Sequence, residues 1–284
     1  MTAPGFQAHP FADLTTLHHH GEGSFTATID PVWTIGPKVH GGCMMALCGA
    51  AARQTVSHSG LVPVALSANY LNAPDPGRVN LTTSVGKQGR QVSLVEVELS
   101  QNGHPAVTCA VTLGNPDTAS HRYQEQSVLT DMPAEPTADA ISVAENPILS
   151  TIINISGGCD MRLDPTTAGF LDGRQGPPIT RLWLRPHADD ESSPDTATLF
   201  AIMAGDLGPP VTMHRGIFGW APTVQLSTYL RHQPTPGWMR VMISTNTIGD
   251  RWFEEDHLIL DVTGQVLVQS RQLAMLPQQN SQGA

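Results

Sequence analysis

The feature that most constrains the fold of this chain is an internal repeat with a period of about 160 residues. Tyr70, in the segment Ser-Ala-Asn-Tyr-Leu-Asn, corresponds to Tyr229 in Leu-Ser-Thr-Tyr-Leu-Arg, at an offset of 159 residues. Two pairs of turn glycines follow in the same order at offsets of 160 and 161 residues: Gly89 with Gly249, and Gly103 with Gly264. Ordered landmarks that agree this closely indicate a tandem duplication. We therefore expect two similar folding units.

The first unit combines one strongly apolar helix with several alternating segments. Residues 43–56 are rich in Ala, Met, Leu and Cys, with Arg53 as their single charge, which predicts a helix buried on nearly every side. A strand is predicted before this helix, and four strands are predicted after it, at 25–29, 64–71, 79–85, 92–99 and 106–113. The expected architecture is one long helix wrapped by a curved antiparallel sheet.

The second unit repeats this order of elements. A strand at 179–184 and a helix at 194–207 begin it. Four further strands are predicted at 223–231, 239–247, 253–262 and 266–274. Segments 148–155 and 159–163 are expected to add strands to this half.

The two units are joined by a segment of different composition. Residues 116–145 are rich in Pro, Ala, Ser, Thr and Asp, which is typical of an exposed linker. We therefore predict an N-terminal unit at 1–115 and a C-terminal unit at 146–284.

The charge balance excludes one class of partner. The chain has 15 Lys and Arg against 25 Asp and Glu, a net charge of −10, and its basic residues are scattered. Nucleic-acid binding needs clustered basic side chains, so no nucleic-acid partner is expected. The N-terminus lacks a basic segment followed by an apolar run, and no stretch of about 18 apolar residues occurs. We therefore expect no membrane insertion and a cytoplasmic location.

The cysteines and the histidine cluster have structural interpretations. The cysteines show no C-x-x-C spacing, which favours reduced core residues over a disulfide framework: Cys43, Cys48, Cys109 and Cys159. His18, His19 and His20 are adjacent, and three adjacent side chains of one regular element cannot all point at one tetrahedral ion. A solvated loop is the favoured interpretation, with a metal site as the alternative.

Four sequence positions carry a resemblance to a known family. Lys38-Val39-His40-Gly41-Gly42 stands at the start of the first helix, and Asp206 follows the second helix in Met-Ala-Gly-Asp-Leu. Thr223 opens a strand, and Gln272 lies in the last strand. With these residues, the duplicated helix-and-sheet unit resembles the hotdog fold, and the fused pair is similar to the acyl-CoA thioesterase II family. The fold class that this implies is α+β, a double hotdog of two tandem units.

The resemblance implies a hydrolytic site built from three polar side chains. Asp206, Thr223 and Gln272 would together hold and polarise one water molecule that attacks a thioester carbonyl. Asp206 would accept the proton of this water, while the other two residues orient it. Backbone N–H groups at His40, Gly41 and Gly42 would bind the developing oxyanion. A thioester is already activated, so no cofactor or metal is expected.

The repeat supports one composite site in each chain. Shifting the three polar residues back by about 160 positions leads to Ala46, Pro63 and Thr112. Ala and Pro cannot replace the Asp and the Thr, so the first half lacks the water-holding set. It has instead the glycine-rich helix start that the second half lacks. The two halves are therefore predicted to contribute different parts of one site.

Structural alternatives stay open for each of these residues. Asp206 could satisfy loop amides at a helix end, Thr223 could be an ordinary strand residue, and Gln272 could be a paired core amide. His40 could be a general base, although a role in helix capping or packing is favoured.

The loop between Asp206 and Thr223 is expected to shape the acyl-chain and CoA sites. Its candidate residues are Pro209, Pro210, His214, Arg215, Phe218 and Trp220. Candidate walls of the acyl pocket, with ordinary core residues as the alternative, are Met44, Met45, Ile202, Met203 and Met213. Because the chain is acidic overall, Arg215 or Arg251 would have to provide local positive charge for the CoA phosphates.

Two other functions are alternatives to acyl-CoA hydrolysis. Hydration of an enoyl-CoA needs an aspartate and a histidine a few residues apart with an asparagine between them, and the sequence from Asp206 to His214 does not fit. A non-catalytic acyl-thioester binding protein with the same fold is the alternative. Acyl-CoA is the expected partner, and a homodimer is expected because hotdog sheets expose edges that can pair.

Overall fold

The computed structural model describes residues 10–56, 60–191 and 193–277. The elements of the first half are α1 (Pro10–Leu14), β1 (His18–Gly21), β2 (Ser24–Ile29), β3 (Thr34–Ile35), β4 (Lys38–Val39), α2 (Gly41–Thr55), β5 (Val62–Tyr70), β6 (Gly77–Lys87), β7 (Ser93–Gln101) and β8 (His104–Gly114). Those that follow are β9 (Ile141–Ser142), β10 (Cys159–Leu163), β11 (Ile179–Pro186), α3 (Pro194–Ala204), β12 (Thr223–Leu230), β13 (Met239–Ser244), β14 (Trp252–Leu260) and β15 (Val266–Met275).

One large antiparallel sheet runs through both halves. Within the described residues it has 13 strands, and its central part has the order β2-β6-β7-β8-β5-β12-β15-β14-β13-β11. In this central part, each half contributes one strand that precedes its helix, β2 or β11, and four strands that follow it, and the two sets of five occupy equivalent places in the sheet. The second half therefore has the same strand order as the first half, read in the opposite direction across the sheet.

The two halves meet at the pairing of β5 with β12. Ser67 lies directly opposite Ser227 in this antiparallel pair. Their hydroxyl oxygens are 3.2 Å apart and hydrogen-bonded. These serines are 160 residues apart, which is the offset of the sequence repeat, so they are equivalent positions of the two halves. The approximate twofold axis that relates the halves therefore passes between them.

The helices α2 and α3 pack against each other beneath the sheet. The residues of α2 from Gly42 to Ala52 are all buried, and the helix contacts β5, β6, β7 and β8 as well as α3. A Cβ atom at Gly49 would lie 3.2 Å from Leu199 Cδ2, so small residues allow the close approach of the helices. The two helices run antiparallel, because Gly42 lies near Met203 while Arg53 pairs with Asp195.

The opposite ends of this helix pair are built differently. At one end, the loop that follows α3 meets the glycine-rich N-terminus of α2. At the other end, Arg53 in the last turn of α2 forms a 2.6 Å ion pair with Asp195 in the first turn of α3. The side chain of Ser193 caps α3 by accepting a hydrogen bond from the Thr196 amide.

Three local predictions were wrong. The cluster of His18, His19 and His20 lies in β1 rather than in a loop, because it pairs with β2, and His20 Nε2 lies 2.9 Å from the Thr26 hydroxyl oxygen. Residues 148–155 form short 3₁₀ turns at Leu149–Thr151 and Asn154–Gly157 instead of a strand. Helix α3 ends at Ala204 rather than at residue 207.

The segment expected to be an exposed linker is partly buried. Leu129 and Met132 are 0% and 2% exposed and pack with Trp183, Trp238 and Leu260 in a second, small core. The Trp183 indole also donates a 2.8 Å hydrogen bond to the Pro133 carbonyl. The composition of residues 116–145 predicted an exposed segment, because two buried apolar residues among many polar ones give little periodic pattern. No helix of the described residues is both long and apolar enough to cross a membrane.

Candidate active site

A cavity of about 350 Å³ lies where the N-terminus of α2 meets the loop after α3 and the ends of β12 and β15. Its polar side chains come from both halves of the chain. They are His40, Tyr70, Asn72, Asp206, Thr223, Glu255 and Gln272. The rest of the wall is mainly apolar and includes Met44, Met213, Trp220 and Met275. The three polar residues predicted to hold water, Asp206, Thr223 and Gln272, therefore line one cavity together with His40 and Gly41.

Asp206 lies against the N-terminus of α2. Its carboxylate receives a hydrogen bond from the backbone N–H of Gly42. His40 Nε2 lies 3.0 Å from the Asp206 carbonyl oxygen and 3.5 Å from its Oδ2 atom. A Cβ atom at Gly41 would lie only 2.6 Å from Asp206 Oδ2, so glycine is required for this approach. The helix start thus holds a carboxylate from the other half of the chain.

Burial changes the acidity of this carboxyl group. Burial raises the pKa of Asp206 above its ordinary value, and the nearby Glu255 carboxylate raises it further. His40, His257 and the Gly42 amide act in the opposite direction, without cancelling the effect of burial on the pKa of Asp206. A carboxylate with a raised pKa is a stronger base toward water than an ordinary surface aspartate.

Thr223 and Gln272 belong to a chain of hydrogen bonds that ends at Glu255. The Thr223 hydroxyl donates to Gln272 Oε1, and Gln272 Nε2 donates to Glu255 Oε2 at 2.5 Å. The other Glu255 oxygen accepts a 2.6 Å hydrogen bond from the Val211 amide. Neighbouring strands position these groups, since Gln272 on β15 pairs with Glu255 on β14.

Two more side chains have buried polar atoms at this site or next to it. The Tyr70 hydroxyl and both ring nitrogens of His257 have no hydrogen-bond partner among the described residues. His257 Nε2 lies 3.8 Å from Glu255 Oε2. Burial, together with the Asp206 charge, raises the pKa of Tyr70, so its hydroxyl stays protonated and able to donate. An unpaired buried donor at a cavity wall is available for a bound molecule.

The backbone amides at the start of α2 have different partners. The His40 amide donates to the Trp33 carbonyl at 3.0 Å, and the Gly42 amide is bonded to Asp206. Gly41 is the first residue of the helix, where no intrahelical acceptor is available, and it lines the cavity. Of the three amides predicted to bind an oxyanion, the Gly41 amide is therefore the one best placed to do so. The imidazole of His40 is buried but forms no capping hydrogen bond.

The predicted wall residues divide between cavity and core. Pro209, Pro210 and Trp220 of the loop line the cavity, as do Met44 and Met213. The others lie elsewhere. His214 is buried beside Thr180, Phe218 is 54% exposed, and Met45, Ile202 and Met203 are part of the main core. Neither Arg215 nor Arg251 is part of the cavity wall.

The cysteines do not provide a nucleophile. All four are free and buried. Burial raises the pKa of Cys43 well above its ordinary value, so the thiol that lies nearest to His40 stays protonated. Within the described ranges no cluster of three or more His, Cys, Asp or Glu side chains has the arrangement of a metal site.

Sequence reasoning missed Glu255, His257 and the role of Tyr70 in the site. A signal for the first two was present, because strand periodicity puts residues 253, 255, 257 and 259 on one face, and Phe253 and Ile259 are apolar. Acidic and basic side chains on a buried strand face are candidates for function. In the sequence, Tyr70 is a landmark of the repeat and carries no local sign of a role in the site. Its proximity to Gly41 depends on tertiary structure.

Comparison with known proteins identifies the class first. A proposed thioesterase II from Thermobifida fusca YX has a solved structure with a TM-score of 0.80 and 25% identity, covering 94% of this chain and 97% of that one. A protein of unknown function with a hotdog fold from Alicyclobacillus acidocaldarius has a TM-score of 0.74 and 18% identity, over 95% and 99% of the two chains. The large antiparallel sheet with few helices is thus that of a hotdog-fold protein.

Sequence matches then identify the family. Residues 29–114 match the model of the acyl-CoA thioesterase N-terminal domain, and residues 128–276 match that of the C-terminal domain. The chain belongs to the acyl-CoA thioesterase II family. An uncharacterised protein of Mycobacterium tuberculosis is 41% identical over 273 residues, which cover 90% of this chain and 91% of the relative.

Proposed function

We propose that this protein hydrolyses acyl-CoA to a free fatty acid and CoA, using a water molecule held by Asp206, Thr223 and Gln272. The observation that carries the proposal is that these three side chains, which lie in three different segments of the second half, line one cavity with the helix start of the first half. Membership of a thioesterase family supports the reaction class.

In this mechanism Asp206 is the general base. Its carboxylate accepts one proton as the water oxygen bonds to the thioester carbonyl carbon. When the tetrahedral intermediate collapses, the C–S bond breaks and the sulfur of CoA takes up a proton, which protonated Asp206 can supply. The raised pKa of Asp206, due mainly to burial, suits a group that must take up and return a proton near neutral pH.

The carbonyl oxygen needs hydrogen-bond donors as negative charge develops on it. We assign this role to the Gly41 amide and the Tyr70 hydroxyl. A Cβ atom at Gly41 would lie 3.2 Å from the Tyr70 hydroxyl oxygen, so these two donors are close together. The partial positive charge of the α2 N-terminus adds to the stabilisation of an oxyanion there.

The cavity wall suits the acyl part of the substrate. It combines methionines with Val39, Ile153 and Trp220, and the described residues that line it include neither lysine nor arginine. An acyl chain can fit against such a surface, whereas the phosphates of CoA need positive charge or solvent. The acyl chain would therefore occupy the cavity, with the CoA phosphates outside it.

At the level of the fold, we propose a tandem double hotdog with units at 1–115 and 146–284 joined by residues 116–145. The mirrored strand order and the central pairing of Ser67 with Ser227 support this division. A homodimer of the whole chain and a cytoplasmic location remain predictions.

The test is release of free thiol from a series of straight-chain acyl-CoAs of increasing length. We expect the wild type to release thiol, and Asp206→Ala and Gln272→Ala to lose about 10²- to 10⁴-fold in kcat while staying folded. Tyr70→Phe should lose about 10²-fold, as is usual for one oxyanion donor. Asp195→Asn is the matched control, because Asp195 lies at the other end of α3 and should leave kcat unchanged.

One result would replace hydrolysis with the non-catalytic alternative. If the wild type bound acyl-CoA without releasing thiol at any chain length, the water-holding role of Asp206, Thr223 and Gln272 would be wrong. The protein would then be an acyl-thioester binding protein. Circular dichroism of each variant separates loss of chemistry from loss of folding.

A further inference from the structure

We infer that Glu255 is a positioning residue whose carboxylate fixes the direction of the hydrogen bonds made by Gln272 and Thr223. This inference rests on the proposed function and extends it to a residue that does not itself contact the reacting atoms. Glu255 is 3% exposed, and both of its oxygens accept hydrogen bonds, from Gln272 and from the Val211 amide.

The orientation of the Gln272 side-chain amide depends on Glu255. A side-chain amide can point either its oxygen or its nitrogen at a neighbour. An ionised carboxylate only accepts hydrogen bonds, so Gln272 must turn Nε2 toward Glu255. Its Oε1 atom then faces Thr223. Glu255 thereby selects one of the two amide orientations.

Gln272 in turn orients the Thr223 hydroxyl. Its hydroxyl has one proton, which it donates to Gln272 Oε1. The lone pairs of the Thr223 oxygen are left to accept a hydrogen bond from a molecule in the cavity. A water molecule can then donate one proton to Asp206 and the other to Thr223. Its own lone pair is left free to attack the carbonyl carbon.

The surroundings of Glu255 make the carboxylate suited to this role. His257 Nε2 lies 3.8 Å from Glu255 Oε2, on the same strand face. Around Asp206, the titratable groups are His40 and Cys43 from the α2 end, Tyr70 from β5, and Glu255 and His257 from β14. Glu255 and Asp206 are like charges, so removing the Glu255 charge should lower the pKa of Asp206.

The experiment compares Glu255→Gln with Glu254→Gln in the full chain, by thiol release from an acyl-CoA across a range of pH. Glutamine at position 255 can keep its oxygen on the Val211 amide, but its Nε2 then faces Gln272 and favours the reversed orientation of the Gln272 amide. Glu254 is the matched control: it is the preceding residue, on the other face of β14, and its carboxylate accepts hydrogen bonds from the Asn246 and Thr247 amides.

We expect Glu255→Gln to lower kcat about 10- to 100-fold with little change in KM, because the water is less well oriented. The acid limb of its pH–rate profile should also move to lower pH. Glu254→Gln should change neither. The shift of the acid limb reports the effect of the Glu255 charge on Asp206, whereas the fall in kcat above the acid limb, with KM and folding unchanged, reports the orientation of the water.

Three outcomes would overturn the inference. In the first, Glu255→Gln keeps wild-type kcat and acid limb although Gln272→Ala is inactive, so hydrolysis stands and Glu255 has no positioning role. In the second, kcat falls with an unmoved acid limb and a lowered melting temperature, which is the result of a structural role. In the third, the wild type itself does not hydrolyse thioesters, and the proposed function fails as well.

Discussion

At the scale of single residues, the buried carboxyl group of Asp206 has opposite consequences for activity and for stability. Its pKa is raised above 3.8 mainly by burial. As the pH rises from 3.8 through the raised value, the folded state loses stability relative to the unfolded chain, in which the same group ionises more easily. The ionised base that the proposed hydrolysis needs is therefore the less stable form of the folded protein.

Asp206→Asn should accordingly abolish hydrolysis and stabilise the protein. Asparagine keeps an oxygen for the Gly42 amide but carries no charge to bury. We expect its free energy of unfolding to exceed that of the wild type near pH 7, and the difference to disappear near pH 4. Urea unfolding at the two pH values measures this. A wild type more stable than the variant near pH 7 would mean that its contacts with His40 outweigh the cost of burial.

At the scale of secondary-structure elements, the start of α2 depends on the absence of a side chain. A Cβ atom at Gly42 would lie 2.6 Å from the Met203 carbonyl oxygen, a backbone atom that cannot move alone. Gly42→Ala should therefore destabilise the protein by about 1–3 kcal/mol, although alanine favours helix by about 1 kcal/mol elsewhere. Thermal or urea unfolding would show the loss.

Gly49→Ala in the same helix is the control. A Cβ atom there would lie 3.2 Å from Leu199 Cδ2, the end of a flexible side chain, so the cost should be much smaller. Equal stability of the two variants would show that the contact with Met203 does not limit the helix start.

The elements that the sequence predicted well are those with a strong local signal. The apolar run in α2 and the alternation in β5 to β8 and β12 to β15 predicted helix and strands at nearly the observed positions. The histidines of β1 carry no such alternation, and only pairing with β2 makes them a strand. Leu149 is buried within a 3₁₀ turn, where a short apolar segment had predicted a strand.

The site was predictable to the extent that its residues resemble a family motif. Asp206, Thr223 and Gln272 could be named from sequence, but neither their common cavity nor the partners of the His40 and Gly42 amides could be. These depend on how α2 meets the loop after α3, which no local pattern encodes. Glu255 could be placed on a buried strand face by alternation, whereas its hydrogen bonds to Gln272 and Val211 required the tertiary structure.

At the scale of the whole molecule, the continuous sheet predicts that both halves unfold together. Separating them would expose the paired edges of β5 and β12 and the interface between α2 and α3. We expect one calorimetric transition, with equal calorimetric and van't Hoff enthalpies. Two resolved transitions, one for each half, would show that the β5–β12 junction contributes little to stability.

The Arg53–Asp195 ion pair has a consequence for the stoichiometry of the protein. This ion pair joins the C-terminal end of α2 to the N-terminal end of α3. The internal repeat makes this end equivalent to the other end of the helix pair, where Asp206 meets Gly42. Two identical units would present two equivalent ends. In this chain one end holds the Arg53–Asp195 ion pair, and the other opens into the cavity. A tight-binding analogue of the tetrahedral intermediate should therefore saturate at one equivalent per chain, although the fold is built from two similar halves.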